Sequence, residues 1–353
     1  MSVSHAGRKR DHLRICREES VGGGLTSGLE LFRLRHCALP ELDLQAVDLG
    51  ASFLGSALRA PVLVSAMTGG TAEARRINRN LARAAQSLGL AMCVGSQRAA
   101  IVDPRVAASY RVRDVGPGIL LFANLGAVQL NYGFGLGECQ RAVEMIEADA
   151  LVLHLNPLQE AFQPQGNTDF SGLLAKIEAI CHALSVPVIV KEVGWGLSES
   201  VAGQLAQAGV SALDVAGAGG TSWSQVERHR ARDSVRARVA ESFRGWGIPT
   251  AEAIQQARLG APDLPIVASG GIRNGTEAAV AIALGADLVG MALPLLTPAT
   301  ISAEAVAEEL QVLIEGLRIA MFAAGLRDIH ALKRAPLDVV RAAGCMRAPQ
   351  ERA

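Results

Sequence analysis

Aromatic residues make up only 4% of this chain, and Lys plus Arg balances Asp plus Glu at 34 each. With no net charge, no global field draws the protein to nucleic acid or to a membrane surface, so any anion site must be local. The six cysteines (Cys16, Cys37, Cys93, Cys139, Cys181 and Cys345) are scattered, without a CxxC or a metal-finger spacing. That excludes a disulfide framework and points to a reduced, cytoplasmic protein. No apolar run reaches the ~18 residues of a membrane span. The N-terminal MSVSHAGRKRDHLR lacks the apolar core of a signal peptide. The apolar stripe from Ala303 to Ala324 is interrupted by Glu308, Glu309, Glu315 and Arg318, the pattern of an amphipathic surface helix.

What the chain does have is aliphatic residues and glycine: 353 residues, 50% hydrophobic, 37 of them Gly. Such a length holds two ordinary domains or one α/β barrel with extensions. From about Ala60 a short aliphatic run, a Gly-rich or polar turn and a helical stretch recur in order. The runs span 61–67, 90–95, 118–126, 150–156, 186–194, 212–220, 264–271 and 288–294, which makes eight. They are continuous rather than alternating, as parallel strands covered on both faces require. Helical segments such as TAEARRINRNLARAAQSLG end in Gly, a usual stop. Eight β/α units predict a TIM barrel (residues 56–335), with its site at the C-terminal strand ends. Residues 1–55 read as an N-terminal extension over that face, residues 336–353 as a tail, and the charge-rich segment from Trp223 to Leu264 as an insertion after strand six, either a mobile lid or a solvated helix.

The strand ends are polar or glycine-rich. After strand seven stands SGGIRNG (269–275), whose glycines permit close backbone approach and whose Arg273 adds charge. In barrels the loops after strands seven and eight often cradle a phosphate. Lys191, ending strand five, suits a Schiff-base nucleophile, a flavin contact that stabilises negative charge on the reduced ring, or a simple pair with Glu192. Ser65, Thr68 and Asn124 could hydrogen-bond a ring system and Met67 leaves it room, which favours FMN over an aldolase-type lysine. In HLNPLQE (154–160), His154, Asn156, Gln159 and Glu160 read as a polar cluster, a partial zinc site or a Mg²⁺ site. No second His or Cys falls at zinc spacing, whereas Mg²⁺ often takes one carboxylate plus substrate phosphates. The basic run RKRDHLR (8–14) is either a solvated tail or, with Arg98, part of a diphosphate pocket.

Together these stretches resemble one family, the FMN-dependent type 2 isopentenyl diphosphate isomerases. The matching segments are RKRDHL (8–13), SAMTGG (65–70), GSQR (95–98), ANLG (123–126), HLNPLQE (154–160), VKEVGWG (190–196), GGTSW (219–223) and SGGIRNG (269–275). The resemblance implies FMN contacts from Ala66, Met67, Thr68, Ser96, Asn124, Lys191, Thr221, Gly271, Arg273, Ala292 and Leu293. It implies substrate contacts from Arg8, Lys9, Ser96, Gln97, Arg98, His154 and Gln159, with His154 and Gln159 as the catalytic side chains and Glu160 as the Mg²⁺ ligand. It further implies isopentenyl and dimethylallyl diphosphate as partners, reduced FMN as acid/base around N5, NADPH as reductant, and a homo-oligomer (tetramer or octamer). Neither nucleic acid nor a membrane is an expected partner. Two positions depart from the family pattern: Ala216 stands where Ser is expected in a DVSG stretch, and Asn167 stands where an acid is common.

An FMN oxidoreductase on the same barrel is the rival. A 2-hydroxy acid oxidase would call for a His/Arg pair aimed at a carboxylate, and an inosinate dehydrogenase relative for a loop cysteine. Neither is visible, since Cys93 lies inside an aliphatic run. A non-catalytic flavin- or diphosphate-binding module is the third possibility, for which an unbroken HLNPLQE would be surplus.

Overall fold

A computed structural model describes residues 5–231 and 233–340. Twelve strands occur among them: β1 (Phe32–Leu34), β2 (Ala51–Phe53), β3 (Ser56–Leu58), β4 (Val62–Val64), β5 (Ala91–Cys93), β6 (Leu120–Gly126), β7 (Ala150–His154), β8 (Val188–Lys191), β9 (Ala212–Asp214), β10 (Ile266–Ser269), β11 (Leu288–Met291) and β12 (Leu337–Val339). Strands β4 to β11 pair in parallel in chain order, and β11 returns to β4 to close an eight-stranded barrel. Each aliphatic run thus supplies one barrel strand, trimmed at its end where polar residues leave the ladder. The trimming concentrates chemistry at one face, because backbone groups released from the sheet are free for other partners.

The helices follow from local chemistry. In Ala72–Leu88 the Thr71 side chain caps the N-terminus, Glu73 complements the first turn and Gly89 closes the helix at φ 65°. Its buried Ala74, Ile77, Leu81, Ala84 and Ala85 recur at helical spacing and face the barrel. Asn274 caps Gly275–Ala283 by accepting from Glu277 N.

The first 55 residues do not all lie over the C-terminal face. The helix His5–Glu18 does, but β2 and β3 form a hairpin at the opposite end, turned by Leu54 and Gly55 with both φ positive. Phe53 and Leu58 pack with Leu63, Leu120, Phe122 and Leu288 inside the barrel, and the rings of Phe53 and Phe122 lie 6.1 Å apart. The hairpin plugs the N-terminal mouth and straddles the expected boundary at residue 55. Phe53→Ala should therefore destabilise the fold by about 3–5 kcal/mol, read as a lower denaturant midpoint at unchanged slope. A change under about 1 kcal/mol would show that the mouth closes without the plug.

Two other boundaries shift. Only residues 223–249 are inserted after the sixth barrel strand, as helices Trp223–Arg230 and Ser234–Ser242. Thr250–Gly260 is the regular barrel helix, packed on Glu199–Gln207. The expected tail begins as structure: β12 pairs antiparallel with β1, and the Arg35 guanidinium clasps Asp338 at 2.9 Å. Residues 341–353, Cys345 among them, lie outside the described residues. No helix among the described residues is long and apolar enough to cross a membrane.

Candidate active site

A cavity of about 460 Å³ opens at the C-terminal face of the barrel. That volume is within the usual ~300–1,000 Å³ of cofactor and ligand sites. Every candidate residue read from the sequence lines it except Gln97. The Gln97 side chain is wholly buried in the wall. Its Nε2 donates to Ala142 O at 2.8 Å and its Oε1 accepts from Asn124 N at 2.9 Å. Gln97 therefore braces the end of β6, while its neighbours Ser96 and Arg98 face the cavity.

On one side of the cavity the loops after β9, β10 and β11 bring Thr221, Gly271, Arg273, Ala292 and Leu293 together. Gly220 and Gly271 approach so closely that a Cβ on Gly220 would lie 2.6 Å from Gly271 N. Arg273 is exposed at the rim, with its backbone N–H held by Glu277 Oε2 at 2.8 Å. Helix Leu293–Ile301 starts against this cradle, so glycine backbone, a helix N-terminus and a guanidinium converge as an anion site requires.

The floor holds Ala66, Met67, Thr68, Asn124 and Lys191. Ser65 Oγ and Thr68 Oγ1 are buried without a partner among the described residues. Buried hydroxyls are seldom left so, and both residues line the cavity. The loop carrying them is fixed from behind. Tyr110 sits against Gly69, where a Cβ would fall 1.9 Å from its ring, and donates to Ser96 O at 2.8 Å. Asn78 Nδ2 donates to Thr68 O and Ser109 O. Ala216 lines the same floor at φ 37°, its N–H directed to Asp214 Oδ1 at 3.2 Å.

The opposite wall is HLNPLQE. His154, at the end of β7, shares a 2.8 Å hydrogen bond with Asn124 Oδ1 through Nδ1. Burial, then the charges of Lys191 and Lys9, push its pKa down to about 3. Burial and the two cations thus favour the neutral ring. Gln159 and Glu160 sit in the first turn of helix Pro157–Phe162. Glu160 accepts from Asn156 Nδ2 at 3.0 Å and from Asn167 N at 2.7 Å. Asn167 thus serves Glu160 through its main chain, whatever its side chain, while its Oδ1 accepts from Gln129 Nε2.

Helix His5–Glu18 roofs the cavity with Arg8, Lys9, His12, Leu13 and Cys16. Arg8 Nη1 donates to Gln163 Oε1 at 2.6 Å. The roof is fastened by a contact absent from any local motif: His12 Nε2 lies 3.0 Å from Glu227 Oε1, and Trp223 packs edge-on against the His12 ring. Burial alone would raise Glu227, but His12 and Arg230 outweigh it and keep the carboxylate below its ordinary range.

Arg8, Lys9 and Arg98 form a cationic arc in which Glu160 is the facing carboxylate. Burial, then the nearby Arg8 charge, lowers Lys9 to about 8. Affinity for inorganic diphosphate should accordingly weaken as the pH rises through about 8, where the ammonium discharges. The loss should be at most about tenfold per pH unit. Calorimetric titrations at successive pH values, referenced to Lys9→Met, read this directly. Identical pH profiles for the two proteins would remove Lys9 from the anion site.

Comparisons with known proteins bear on the family and the fold. A family model described as FMN-dependent dehydrogenase matches residues 142–339. An isopentenyl-diphosphate delta-isomerase of Synechocystis sp. is 56% identical over 94% of this chain and 95% of its own length. The chain belongs to the isopentenyl-diphosphate delta-isomerase family. Another member, from Xanthobacter autotrophicus, is 54% identical over 96% of this chain and 99% of its own. Among solved structures, a mandelate oxidase mutant with benzaldehyde is similar at a TM-score of 0.67 and 20% identity, covering 96% of this chain and 99% of that one. That likeness carries the fold alone. Gln129, Gln163 and His12 also line the cavity, with Tyr110 and Glu227 supporting it from behind, and the motifs single out none of these side chains.

Proposed function

We propose that the chain interconverts isopentenyl and dimethylallyl diphosphate, a 1,3-allylic proton shift, with FMN as its cofactor. The observation that carries this reading is one cavity in which a glycine cradle, a floor with Lys191 and two unpartnered hydroxyls, and a cationic roof face one another. FMN fits the first two, and reduced FMN supplies the acid/base chemistry when bound. The chain's own residues bind and hold. Arg8, Lys9, Ser96 and Arg98 take the diphosphate, which keeps its charge throughout the proton shift and mainly supplies binding and orientation. Neutral His154 adds a hydrogen bond without competing for the moving proton. Gln159 orients the hydrocarbon, and its amide offers no nucleophile to a carbocation-like state.

Mg²⁺ also fits, on the donor set. Among the described residues no three His, Cys, Asp or Glu side chains form a ready-made metal centre. Glu160 nevertheless stands beside Asn156, whose Oδ1 is buried without a partner. One carboxylate, an amide oxygen and substrate phosphates are hard oxygen donors of the kind Mg²⁺ takes. The proposal extends to NADPH as reductant, a cytoplasmic location and a homo-oligomer (tetramer or octamer), all supported by the resemblance to the family.

Protein, FMN, Mg²⁺ and isopentenyl diphosphate under anaerobic reducing conditions should yield dimethylallyl diphosphate with no reductant consumed per turnover. Full activity with oxidised FMN would overturn the acid/base role. Stoichiometric nicotinamide turnover coupled to substrate oxidation would instead establish the oxidoreductase reading.

A further inference from the structure

Beneath the cavity floor, on the barrel axis, lies a void of about 10 Å³ lined by aliphatic residues, Cys93 and Phe122, with just two charged side chains, Lys191 and Asp214. They are register partners across β8 and β9, so both project to the inside of the barrel. The carboxylate is held in place from two sides: Ser269 Oγ, on β10, donates to Asp214 Oδ1 at 2.6 Å, and Ala216 N donates at 3.2 Å. Lys191 Nζ donates to Glu192 O. Glu192 is the other nearby acid, but its carboxylate is turned away, with Oε2 accepting from Val193, Gly194 and Trp195 N–H at 2.6–2.7 Å.

The remaining titratable groups facing Lys191 cannot balance its charge. Cys93, from β5, has its thiol pushed up to about 12 by burial, and His154, from β7, is neutral. Burying an ammonium in an apolar layer is costly unless an opposite charge is fixed beside it. Asp214 is the acid placed to meet that need, and the sequence hides it inside an aliphatic run; burial raises its pKa overall, while the Lys191 charge, Ser269 Oγ and the Ala216 N–H each pull it back toward the carboxylate.

The geometry points to Asp214 as a positioning residue for Lys191: from below the floor its side chain faces the ammonium and aims it at the cavity, and so shapes the field presented to the flavin. This rests on the reading of the floor as an FMN site. It also gives the DVAG stretch (214–217) a role that does not depend on the hydroxyl missing at Ala216, since the Asp214 contact there uses the backbone N–H.

The test compares Asp214→Asn, Lys191→Met and the double variant, using the pH dependence of the bound flavin's reduction potential. Asp214→Asn keeps the shape but removes the counter-charge beneath Lys191. Its potential should follow wild type at acid pH and fall to the Lys191→Met value at alkaline pH. The alkaline limb of activity should move down by at least about one unit, a tenfold loss at a fixed pH above it. In the Lys191→Met background, Asp214→Asn should leave the potential unchanged.

An Asp214→Asn curve parallel to wild type at every pH would overturn the inference, as would an equal shift with and without Lys191. If Lys191→Met itself leaves both FMN affinity and potential unchanged, the floor reading fails first and the inference falls with it. Thermal unfolding of the flavin-free proteins gives a second measurement should Asp214→Asn not load FMN. Lys191→Met strands a buried carboxylate, so the double variant should melt higher than Lys191→Met alone. Additive destabilisation would overturn the pairing.

Discussion

Replacing Arg8 and Lys9 together by alanine is expected to raise KM for the diphosphate substrate by roughly 10²–10⁴-fold, with kcat changed by less than about tenfold. Each side chain is a charged donor in a partly desolvated wall, and a hydrogen bond to a charged group contributes about 1.5–3 kcal/mol. Two such losses give the range stated. The effect should fall on KM because the diphosphate keeps its charge and shape throughout an allylic proton shift, so its contacts are alike in ground and transition states. The roof should stay docked in the variant. Ile15 packs with Val21 and Val226, and His12 keeps its bond to Glu227. Initial-rate kinetics with a melting curve check this. A fall in kcat matching the fall in kcat/KM would mean that the roof positions the reacting carbons rather than the diphosphate alone.

The barrel was legible because its signal is local and repeated. Each strand is an aliphatic run, such as LPIVAS before SGGIRNG, and each helix carries its own caps, as Thr71 and Gly89 do. The parts that were misplaced depend on long-range contacts. Phe53 and Leu58 sit on strands of three residues, too short for periodicity to show that they seal the barrel mouth. The insertion is shorter than the charge pattern suggests because Thr250–Gly260 follows a charge-rich stretch, and only its packing on Glu199–Gln207 marks it as a barrel helix.

Within the site, motif residues reach the cavity where the backbone delivers a whole segment to it, as in HLNPLQE. Gln97, between two cavity-facing neighbours, turns into the wall instead, because one turn of backbone reverses a side chain's direction and no residue type signals it. The latch between His12 and Glu227 joins residues 215 apart in sequence, and nothing local at either end announces the other. Asp214 was missed for the opposite reason. Its flanking Leu213 and Val215 are apolar core residues, so the run reads as buried strand and its single acid as noise.

Glu160→Gln is expected to move the Mg²⁺ dependence of activity to higher concentration, with much of the rate restored when Mg²⁺ is in excess. The structure makes this substitution a clean removal of charge. Glu160 Oε2 accepts from Asn167 N, a bond the glutamine oxygen can keep. The new NH₂ group would then face Asn156 Nδ2, but the Asn156 amide can present its unpartnered Oδ1 instead if the Gln159 amide, which now accepts from Nδ2, turns over with it. Helix Pro157–Phe162 and the segment to Asn167 should therefore stay in place, and a melting curve close to wild type would verify it. What remains is the question of role. A metal ligand that loses its charge but keeps one oxygen binds Mg²⁺ more weakly, and mass action compensates. A general base replaced by an amide cannot accept a proton at any metal concentration, and a deficit of ~10²–10⁴-fold would persist. The geometry favours the first outcome, because both Glu160 oxygens already accept from N–H donors and the buried Asn156 Oδ1 stands beside them as a second hard oxygen donor. Titrating Mg²⁺ against the rate of the variant separates the two, and a deficit that stays flat across the titration would assign Glu160 to proton transfer.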